Sequence, residues 1–223
     1  MERQATSTLM DYKLQIEEMI NTINAHATSY ANGKEIDSRV LDAMRQIPRH
    51  NFVAHFPYGD GPVRIGHGQT ISQPFIVAYM TDILELQPLH KVLEIGMGSG
   101  YQAAVLSELS HEIYTVERIP ELAEQTKTLL ERLEYNNIKI KVGNGYEGWK
   151  EHAPYDRIIV TATADVLIPP QALVNQLVEG GKMIIPMKRS AGYEELVLIT
   201  KTGKTYNEKS LIGVRFVPLV NEV

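Results

Sequence analysis

The apolar residues near the start of the chain recur at helical spacing. Steps of three or four residues place on one face Leu9, Tyr12, Ile16, Met19, Ile20 and Ile23. A polar break over residues 29–34 separates this helix from a second one, which begins near Asp37 and Ser38 and ends before Pro48. Residues 50–68 are rich in aromatic residues, glycine and proline, and they predict a loop.

From Thr70 onward, short apolar strands alternate with helices. After a helix over residues 74–86, strands are predicted at 91–95, 112–116, 138–142, 156–161 and 182–186, and helices at 101–109, 121–133 and 170–177. Two last strands, at 195–201 and 215–219, are expected to be antiparallel. This alternation predicts an α/β fold with a mostly parallel central sheet and helices on both faces. We therefore expect one domain over residues 1–223, with a helical addition and loop at 1–68 and a sheet core at 69–223.

Composition excludes several classes of function. Hydrophobic residues make up 43% of the 223, which is enough for one sizeable core. The net charge of −5 argues against a broad nucleic-acid-binding surface. No cysteine is present, so thiolate nucleophiles, iron–sulfur clusters and cysteine-based zinc sites are excluded. The spacings of His50, His55 and His67 match no metal motif, and we expect no metal.

The first residues lead into no apolar segment, and no apolar run is long enough for a membrane span, so we expect neither a signal peptide nor a membrane helix. We therefore expect a cytoplasmic protein that contacts neither membrane nor nucleic acid, and we favour a monomer.

The sharpest local signal is a glycine loop between a strand and a helix. The apolar strand that ends at Ile95 runs into Gly96, Gly98 and Gly100, and a helix follows at Tyr101. Glycines allow a ligand to approach the backbone, and the helix N-terminus offers free N–H groups. A plain tight turn between strand and helix would explain the same pattern.

Two acidic residues near the loop indicate which ligand it would take. Glu94 lies two residues before the first glycine, where a carboxylate suits a cationic ligand better than a pyrophosphate. Glu117 ends the next strand, about 20 residues after the loop, where an acid can accept both ribose hydroxyls. Tyr101 occupies the third glycine position of a dinucleotide fingerprint, which disfavours a nicotinamide-dependent dehydrogenase. A positively charged nucleoside without phosphates, S-adenosyl-L-methionine, fits this set.

At this point the sequence resembles a known family. Residues 92–101 resemble motif I of class I S-adenosylmethionine-dependent methyltransferases. Segments that narrow the resemblance to the protein-L-isoaspartate O-methyltransferases lie at 47–53, 65–74, 98–106, 148–149, 153–156 and 215–219. They follow one another in family order, and the run Gly68-Gln69-Thr70-Ile71-Ser72-Gln73-Pro74 is highly specific.

The resemblance implies a Rossmann-like class I methyltransferase fold with antiparallel C-terminal strands, S-adenosyl-L-methionine as cofactor and S-adenosyl-L-homocysteine as product. It implies esterification of the free carboxylate of an isoaspartyl residue in a damaged protein or peptide. The ester then collapses to a succinimide, part of which reopens as normal aspartate. By resemblance Ser72 is the catalytic residue. Residues that match cofactor-binding positions are Gln69, Thr70, Ile71, Ser72, Glu94, Gly96, Gly98, Gly100, Tyr101, Glu117, Arg118, Asn144 and Gly145.

The chemistry explains why the sequence offers no strong general base. A carboxylate with a pKa near 3.9 is already ionised at neutral pH, and a sulfonium is already activated. The protein must hold the reacting atoms in line and exclude water. A hydroxyl such as that of Ser72 suffices to orient the carboxylate. A helix N-cap or a turn ahead of Pro74 would account for the same serine without any function.

Several positions depart from the family pattern. Asn144 replaces a usual aspartate, which changes one acceptor into a mixed donor and acceptor. Further departures lie at Thr163, Met187, Lys188, Glu194 or Glu195, and Val220. They lie on the expected peptide side, where Thr163, Lys188 and Arg215 are candidate substrate-binding residues.

These departures leave a second function open. A family-like tailoring enzyme would methylate an aspartate side chain or a C-terminal carboxylate of a ribosomally made precursor peptide. A cofactor-binding module without catalysis is disfavoured, because Ser72 and the glycine loop are both intact.

Overall fold

The computed structural model describes residues 2–30 and 33–221, with side chains from residue 11 onward. The helices are α1 (Glu2–Tyr30), α2 (Ser38–Gln46), α3 (Pro74–Ile83), α4 (Tyr101–Ser107), α5 (Pro120–Arg132) and α6 (Gln171–Asn175). The strands are β1 (Val63–Gly66), β2 (Gln69–Ile71), β3 (Lys91–Ile95), β4 (Glu112–Glu117), β5 (Ile138–Val142), β6 (Tyr155–Val160), β7 (Leu177–Lys188), β8 (Glu194–Thr202) and β9 (Thr205–Val214). Single 3-10 turns lie at Arg49–Asn51 and Lys150–His152.

The N-terminal helices form where the periodicity predicts them. Asp37 caps α2, since its side chain accepts a hydrogen bond from the backbone N–H of Arg39 at 2.9 Å. Met19, Ile20 and Ile23 of the predicted apolar face of α1 are buried. Leu9, from the same predicted face, lies outside the described side chains.

Seven strands form the central sheet in the order β5-β4-β3-β6-β7-β8-β9. Neighbours from β5 to β7 pair in parallel, and β7, β8 and β9 pair antiparallel. Apolar side chains cover both faces of the sheet. One hydrophobic cluster packs the five helices from α1 through α5 against one face, and the other packs α6 against the opposite face. The predicted Rossmann-like fold, with its antiparallel C-terminal strands, is confirmed.

Two predicted elements are wrong. The predicted loop at 50–68 contains β1, which pairs with β2 as a separate antiparallel hairpin. The predicted strand at 215–219 is an extended segment with a single bridge between Pro218 and Thr163, and the last strand is β9 instead. The division at residue 68 falls within the β1–β2 hairpin and stays a prediction.

Several elements differ in extent from those predicted. Helices α3, α4 and α6 are shorter than the predicted 74–86, 101–109 and 170–177, and β7 is longer than the predicted 182–186. Within the described ranges, no helix combines the length and the apolar character needed to cross a bilayer.

Candidate active site

A cleft opens at the carboxyl ends of the parallel strands. Strand β3 pairs with β4 on one side and β6 on the other, so the strand order reverses at β3. Open α/β sheets bind ligands at such a switch point. The cleft walls include Gly96 after β3, Glu117 at the end of β4 and Thr161 after β6.

The cleft brings together about half of the residues predicted to bind cofactor. Predicted residues that line it are Gln69, Thr70, Gly96, Gly98, Glu117, Arg118 and Gly145. Predicted residues outside the lining are Ile71, Ser72, Glu94, Gly100, Tyr101 and Asn144. Lining residues that sequence reasoning did not assign to the site are Ile95, Val116, Thr161, Ala162, Val217, Pro218, Leu219 and Val220.

Gly96 makes the closest approach in the glycine loop. Its φ of +94° lies in the region that side chains disfavour, and an added Cβ would lie 2.5 Å from Thr161 Oγ1. The Thr161 hydroxyl donates toward the carbonyl oxygens of Ile95 at 3.0 Å and Gly96 at 2.6 Å. The loop and the end of β6 therefore touch without room for a side chain.

Glu117 braces the loop from the neighbouring strand. One carboxylate oxygen accepts from the backbone N–H of Gly98 at 3.0 Å, and the other accepts from Ile119 N–H at 3.0 Å. A carboxylate offers about four acceptor sites. Glu117 therefore retains capacity for two hydroxyl donors from the cleft that it lines.

Glu94 lies on β3 with its side chain fully buried. Thr115 donates a hydrogen bond to its Oε2, whereas Oε1 has no partner. Burial raises the pKa of Glu94 to about 8, against the lowering effect of the Thr115 hydrogen bond. A cationic group near the glycine loop would satisfy the free oxygen and favour the ionised form.

Ser72 lies between β2 and α3, in a loop whose backbone is hydrogen-bonded to the buried side chain of Arg49. Arg49 Nη2 donates to the carbonyl oxygen of Ser72 at 2.6 Å, and its Nε donates to that of Pro57 at 2.7 Å. Because Gln73 is the N-cap residue of α3, Ser72 does not cap that helix. A second brace comes from Gln73, whose amide donates to Asp60 at 2.7 Å.

Tyr101 begins α4 but turns its ring away from the cleft. The ring is buried, lies 4.7 Å from the Arg49 guanidinium and packs edge-on against Phe52. Burial raises the pKa of Tyr101 to about 12. Its side chain therefore supports Arg49, and the part of Tyr101 nearest the glycine loop is its backbone.

Asn144 precedes Gly145 in the loop after β5, and its side chain is hydrogen-bonded to Asn221. Its Nδ2 donates to Asn221 Oδ1 at 2.8 Å, and its Oδ1 accepts from the backbone N–H of Tyr146 at 2.9 Å. A Cβ at Gly145 would lie 2.5 Å from Ile95 Cγ2 and 3.0 Å from Leu219 Cδ1. The backbone of Gly145 therefore forms part of the cleft wall.

Residues 215–221 form a segment that we term the C-terminal strap. Thr163 N–H donates to the carbonyl oxygen of Val217 at 2.8 Å, and Leu219 N–H donates to that of Thr163 at 2.8 Å. Four strap residues, 217–220, line the cleft. The mostly apolar residues 215–219 were the one feature of the sequence that marks the strap, but their pattern predicts a strand and not a wall of the cleft.

The three candidate substrate-binding side chains are not equally accessible. Thr163 is buried, and its hydroxyl donates to Glu194 at 2.6 Å. Lys188 forms an ion pair with Asp165 at 3.1 Å, and Arg215 is exposed. Their substrate role stays a prediction.

The residues present fit an adenosyl sulfonium cofactor. Gly96 and Gly145 keep their parts of the cleft wall free of side chains. Glu117 offers acceptors for ribose hydroxyls, and Glu94 keeps one buried carboxyl oxygen unpaired. The apolar wall of Val116, Leu219 and Val220 suits the face of a nucleobase.

Comparison with known proteins agrees with this fit. Residues 23–223 match the sequence profile of protein-L-isoaspartate(D-aspartate) O-methyltransferases. A protein-L-isoaspartate O-methyltransferase of Dictyoglomus thermophilum is 52% identical over 188 residues, which cover 82% of this chain and 84% of the relative. One from Picosynechococcus is 50% identical over 187 residues, which cover 82% of each chain.

A solved structure extends the agreement to the fold. The Plasmodium falciparum protein-L-isoaspartate O-methyltransferase in complex with S-adenosyl-L-homocysteine has a TM-score of 0.79 and 28% identity to this chain. The alignment covers 95% of this chain and 99% of that one. The profile match includes every strand and loop that builds the cleft. The chain belongs to the protein-L-isoaspartate(D-aspartate) O-methyltransferase family.

Proposed function

We propose that this enzyme transfers the methyl group of S-adenosyl-L-methionine to the free carboxylate of isoaspartyl residues in damaged proteins and peptides. The observation that carries the proposal is the family match over residues 23–223, which includes the whole cleft and the Ser72 loop. A protein or peptide bearing an isoaspartyl residue is therefore the substrate. The cytoplasmic location and monomeric state expected from the sequence remain part of this proposal.

The side chains divide the work between binding and orientation. S-adenosyl-L-methionine, when bound, supplies a methyl group activated by its sulfonium centre. Glu117 and Arg118 would hold the ribose and the adenine edge. The glycine loop would surround the methionine part, whose positive charge Glu94 would balance. Ser72 would donate a hydrogen bond to the substrate carboxylate and orient one oxygen for attack. Since this carboxylate is already ionised at neutral pH, no residue needs to act as a general base.

A set of matched peptides tests the substrate. The peptides differ only in aspartate or isoaspartate at one position, each with a free or an amidated C-terminus, and labelled S-adenosyl-L-methionine reports methyl transfer. We expect transfer to both isoaspartyl peptides and to neither aspartyl peptide. Transfer that follows the aspartyl side chain or the free C-terminus would reject the proposal in favour of a peptide-tailoring enzyme.

We expect Ser72→Ala to lower kcat for an isoaspartyl peptide about 10- to 100-fold. A hydrogen bond to a charged group contributes about 1.5–3 kcal/mol, and each 1.4 kcal/mol of transition-state stabilisation is about tenfold in rate. Affinity for S-adenosyl-L-homocysteine, measured by calorimetry, is expected to stay within about threefold because Ser72 lies outside the cleft lining. Ser107→Ala is the matched control, since that hydroxyl bonds to Ala104 within α4. An unchanged kcat in Ser72→Ala would contradict the assigned role.

We expect the affinity for S-adenosyl-L-homocysteine to rise by up to about tenfold per pH unit between pH 6 and 8. The pKa of Glu94 is about 8 in the free protein, so its carboxyl is protonated below that pH. The α-ammonium group of the bound ligand would favour the ionised form of Glu94, and binding would therefore release a proton in this window. The same raised pKa predicts that stability of the ligand-free protein falls as pH rises toward 8.

Glu94→Gln tests the source of this pH dependence. The variant keeps the shape of the side chain but cannot ionise, so we expect weaker binding whose pH dependence between 6 and 8 is lost. Calorimetry in two buffers of different ionisation enthalpy measures the protons released. Equal proton release by the wild-type enzyme and the variant would assign the linkage to another group.

A further inference from the structure

One side chain that does not line the cleft connects two segments next to it, the end of β6 and the C-terminal strap. Glu194, at the start of β8, uses a single oxygen, Oε2, to accept two hydrogen bonds. The Thr163 hydroxyl donates to it at 2.6 Å, and the backbone N–H of Phe216 donates at 2.9 Å. Thr163 follows β6, and Phe216 belongs to the C-terminal strap.

The contact lies where the strap enters the cleft. Phe216 immediately precedes the four strap residues that line the cleft, residues 217–220. Thr163 also pairs with the strap through its backbone, on both its N–H and its carbonyl oxygen. The Glu194 contact therefore fixes the strap at Phe216, two residues after the end of β9.

The other side-chain attachments of the strap are either more exposed or longer. At its far end the amides of Asn144 and Asn221 pair at 2.8 Å in an exposed position. The Tyr146 hydroxyl donates to the carbonyl oxygen of Leu219 at 3.4 Å, which is a long and therefore weak hydrogen bond. The bonds to Glu194 are short and part-buried, so they hold the strap more firmly than the exposed pair of Asn144 and Asn221.

We infer that Glu194 is a positioning residue that sets how tightly the cofactor is held, by fixing the C-terminal strap against the cleft through Thr163 and Phe216. It acts through the strap because Glu194 does not line the cleft itself. Its effect should therefore appear in cofactor affinity and release, and leave the peptide KM at saturating cofactor unchanged. The inference rests on the proposed function only in requiring an adenosyl cofactor in this cleft.

The test compares Glu194→Ala with Glu194→Gln. The alanine variant leaves the Phe216 N–H and the Thr163 hydroxyl without their acceptor, and we expect it to weaken S-adenosyl-L-homocysteine binding about tenfold by calorimetry. The glutamine variant keeps an acceptor oxygen in place, and its affinity is expected to stay within about twofold of wild type. Amide hydrogen exchange in residues 215–221 is expected to rise in the alanine variant and not in the glutamine variant.

The neighbouring residue supplies a matched control. Glu195 also carries a carboxylate on β8, but it pairs with Arg189 at 3.0 Å and Ser210 at 2.9 Å, away from the strap. Glu195→Ala is expected to leave cofactor affinity and strap exchange within about twofold of wild type. Equal losses in the two alanine variants would assign the effect to charge on β8 and overturn the inference.

Thr163→Val keeps the test decisive if Glu194→Ala does not fold. Valine replaces the Thr163 hydroxyl with a methyl group of similar size that cannot donate to Glu194, so we expect binding at least about threefold weaker. Unchanged affinity in Thr163→Val, or a glutamine variant as weak as the alanine variant, would overturn the inference. Since the readout is binding of S-adenosyl-L-homocysteine, a protein that binds it but methylates no isoaspartyl peptide would reject the proposed function and still test Glu194.

Discussion

Gly96→Ala is expected to lower the rate of isoaspartyl methyl transfer at least about 100-fold, since a 1 Å misplacement of a reacting group costs about that much in rate, and to weaken S-adenosyl-L-homocysteine binding as well. The new Cβ would lie 2.5 Å from Thr161 Oγ1. That hydroxyl cannot simply rotate away, because it bonds to the carbonyl oxygens of Ile95 and Gly96. The residue at position 96 must also keep a φ of +94°, which alanine disfavours. Calorimetry and isoaspartyl methyltransferase activity measure the loss.

Gly98→Ala separates crowding from backbone strain at a second glycine of the same loop. An added Cβ there lies 3.4 Å from the flexible end of Ile65, and φ is +53°. A left-handed conformation alone costs about 1–2 kcal/mol, so we expect a loss of about tenfold. Equal losses in the two variants, or binding within about threefold of wild type in Gly96→Ala, would contradict the steric argument.

Arg49→Met is expected to lower kcat about 100-fold and the free energy of unfolding by about 3 kcal/mol. Methionine fills much of the same space but leaves the carbonyl oxygens of Ser72 and Pro57 without donors. A buried acceptor left unpaired costs about 1–3 kcal/mol. The Ser72 loop would then lose the contact that fixes its position relative to the glycine loop. Steady-state kinetics and urea unfolding measure the two effects.

Arg45→Met is the matched control for the loss of an arginine. Arg45 forms ion pairs with Glu17 and Asp42 on the protein surface, and such pairs contribute about 0–1 kcal/mol. We expect its kcat to be unchanged. If Arg49→Met kept its kcat within about threefold of wild type, Arg49 would be a stabilising residue without influence on Ser72.

The strands of the sheet core were predictable from two different residue patterns. Strand β3 is mostly buried on both faces, and β5, at one sheet edge, alternates apolar residues with lysine; both occupy the residues predicted for them, 91–95 and 138–142. Strand β9 escaped prediction because it lies at the sheet edge, where polar side chains fill most of residues 205–210. The apolar run at 215–219 looked like a strand, but two of its apolar residues, Val217 and Leu219, line the cleft.

The candidate site was predictable only where residue type and spacing carry the chemistry. Gly96, Gly98 and Glu117 follow a local pattern, and they lie together in the cleft. Arg49 carries no such signal, because its partners are backbone carbonyl oxygens 8 and 23 residues away in sequence. The pairing of Thr163 with Glu194 was equally hidden, although both positions had been noted as departures from the family pattern.

The measurement that tests the central claim most directly follows the peptide and not the methyl label. An isoaspartyl peptide is incubated with the enzyme and excess S-adenosyl-L-methionine, and chromatography separates the isoaspartyl, succinimide and aspartyl forms over time. The account predicts that the isoaspartyl form is consumed through the succinimide and that the aspartyl form accumulates, with Ser72→Ala much slower. Stable methylation of the aspartyl peptide, with the isoaspartyl peptide left unchanged, would contradict it.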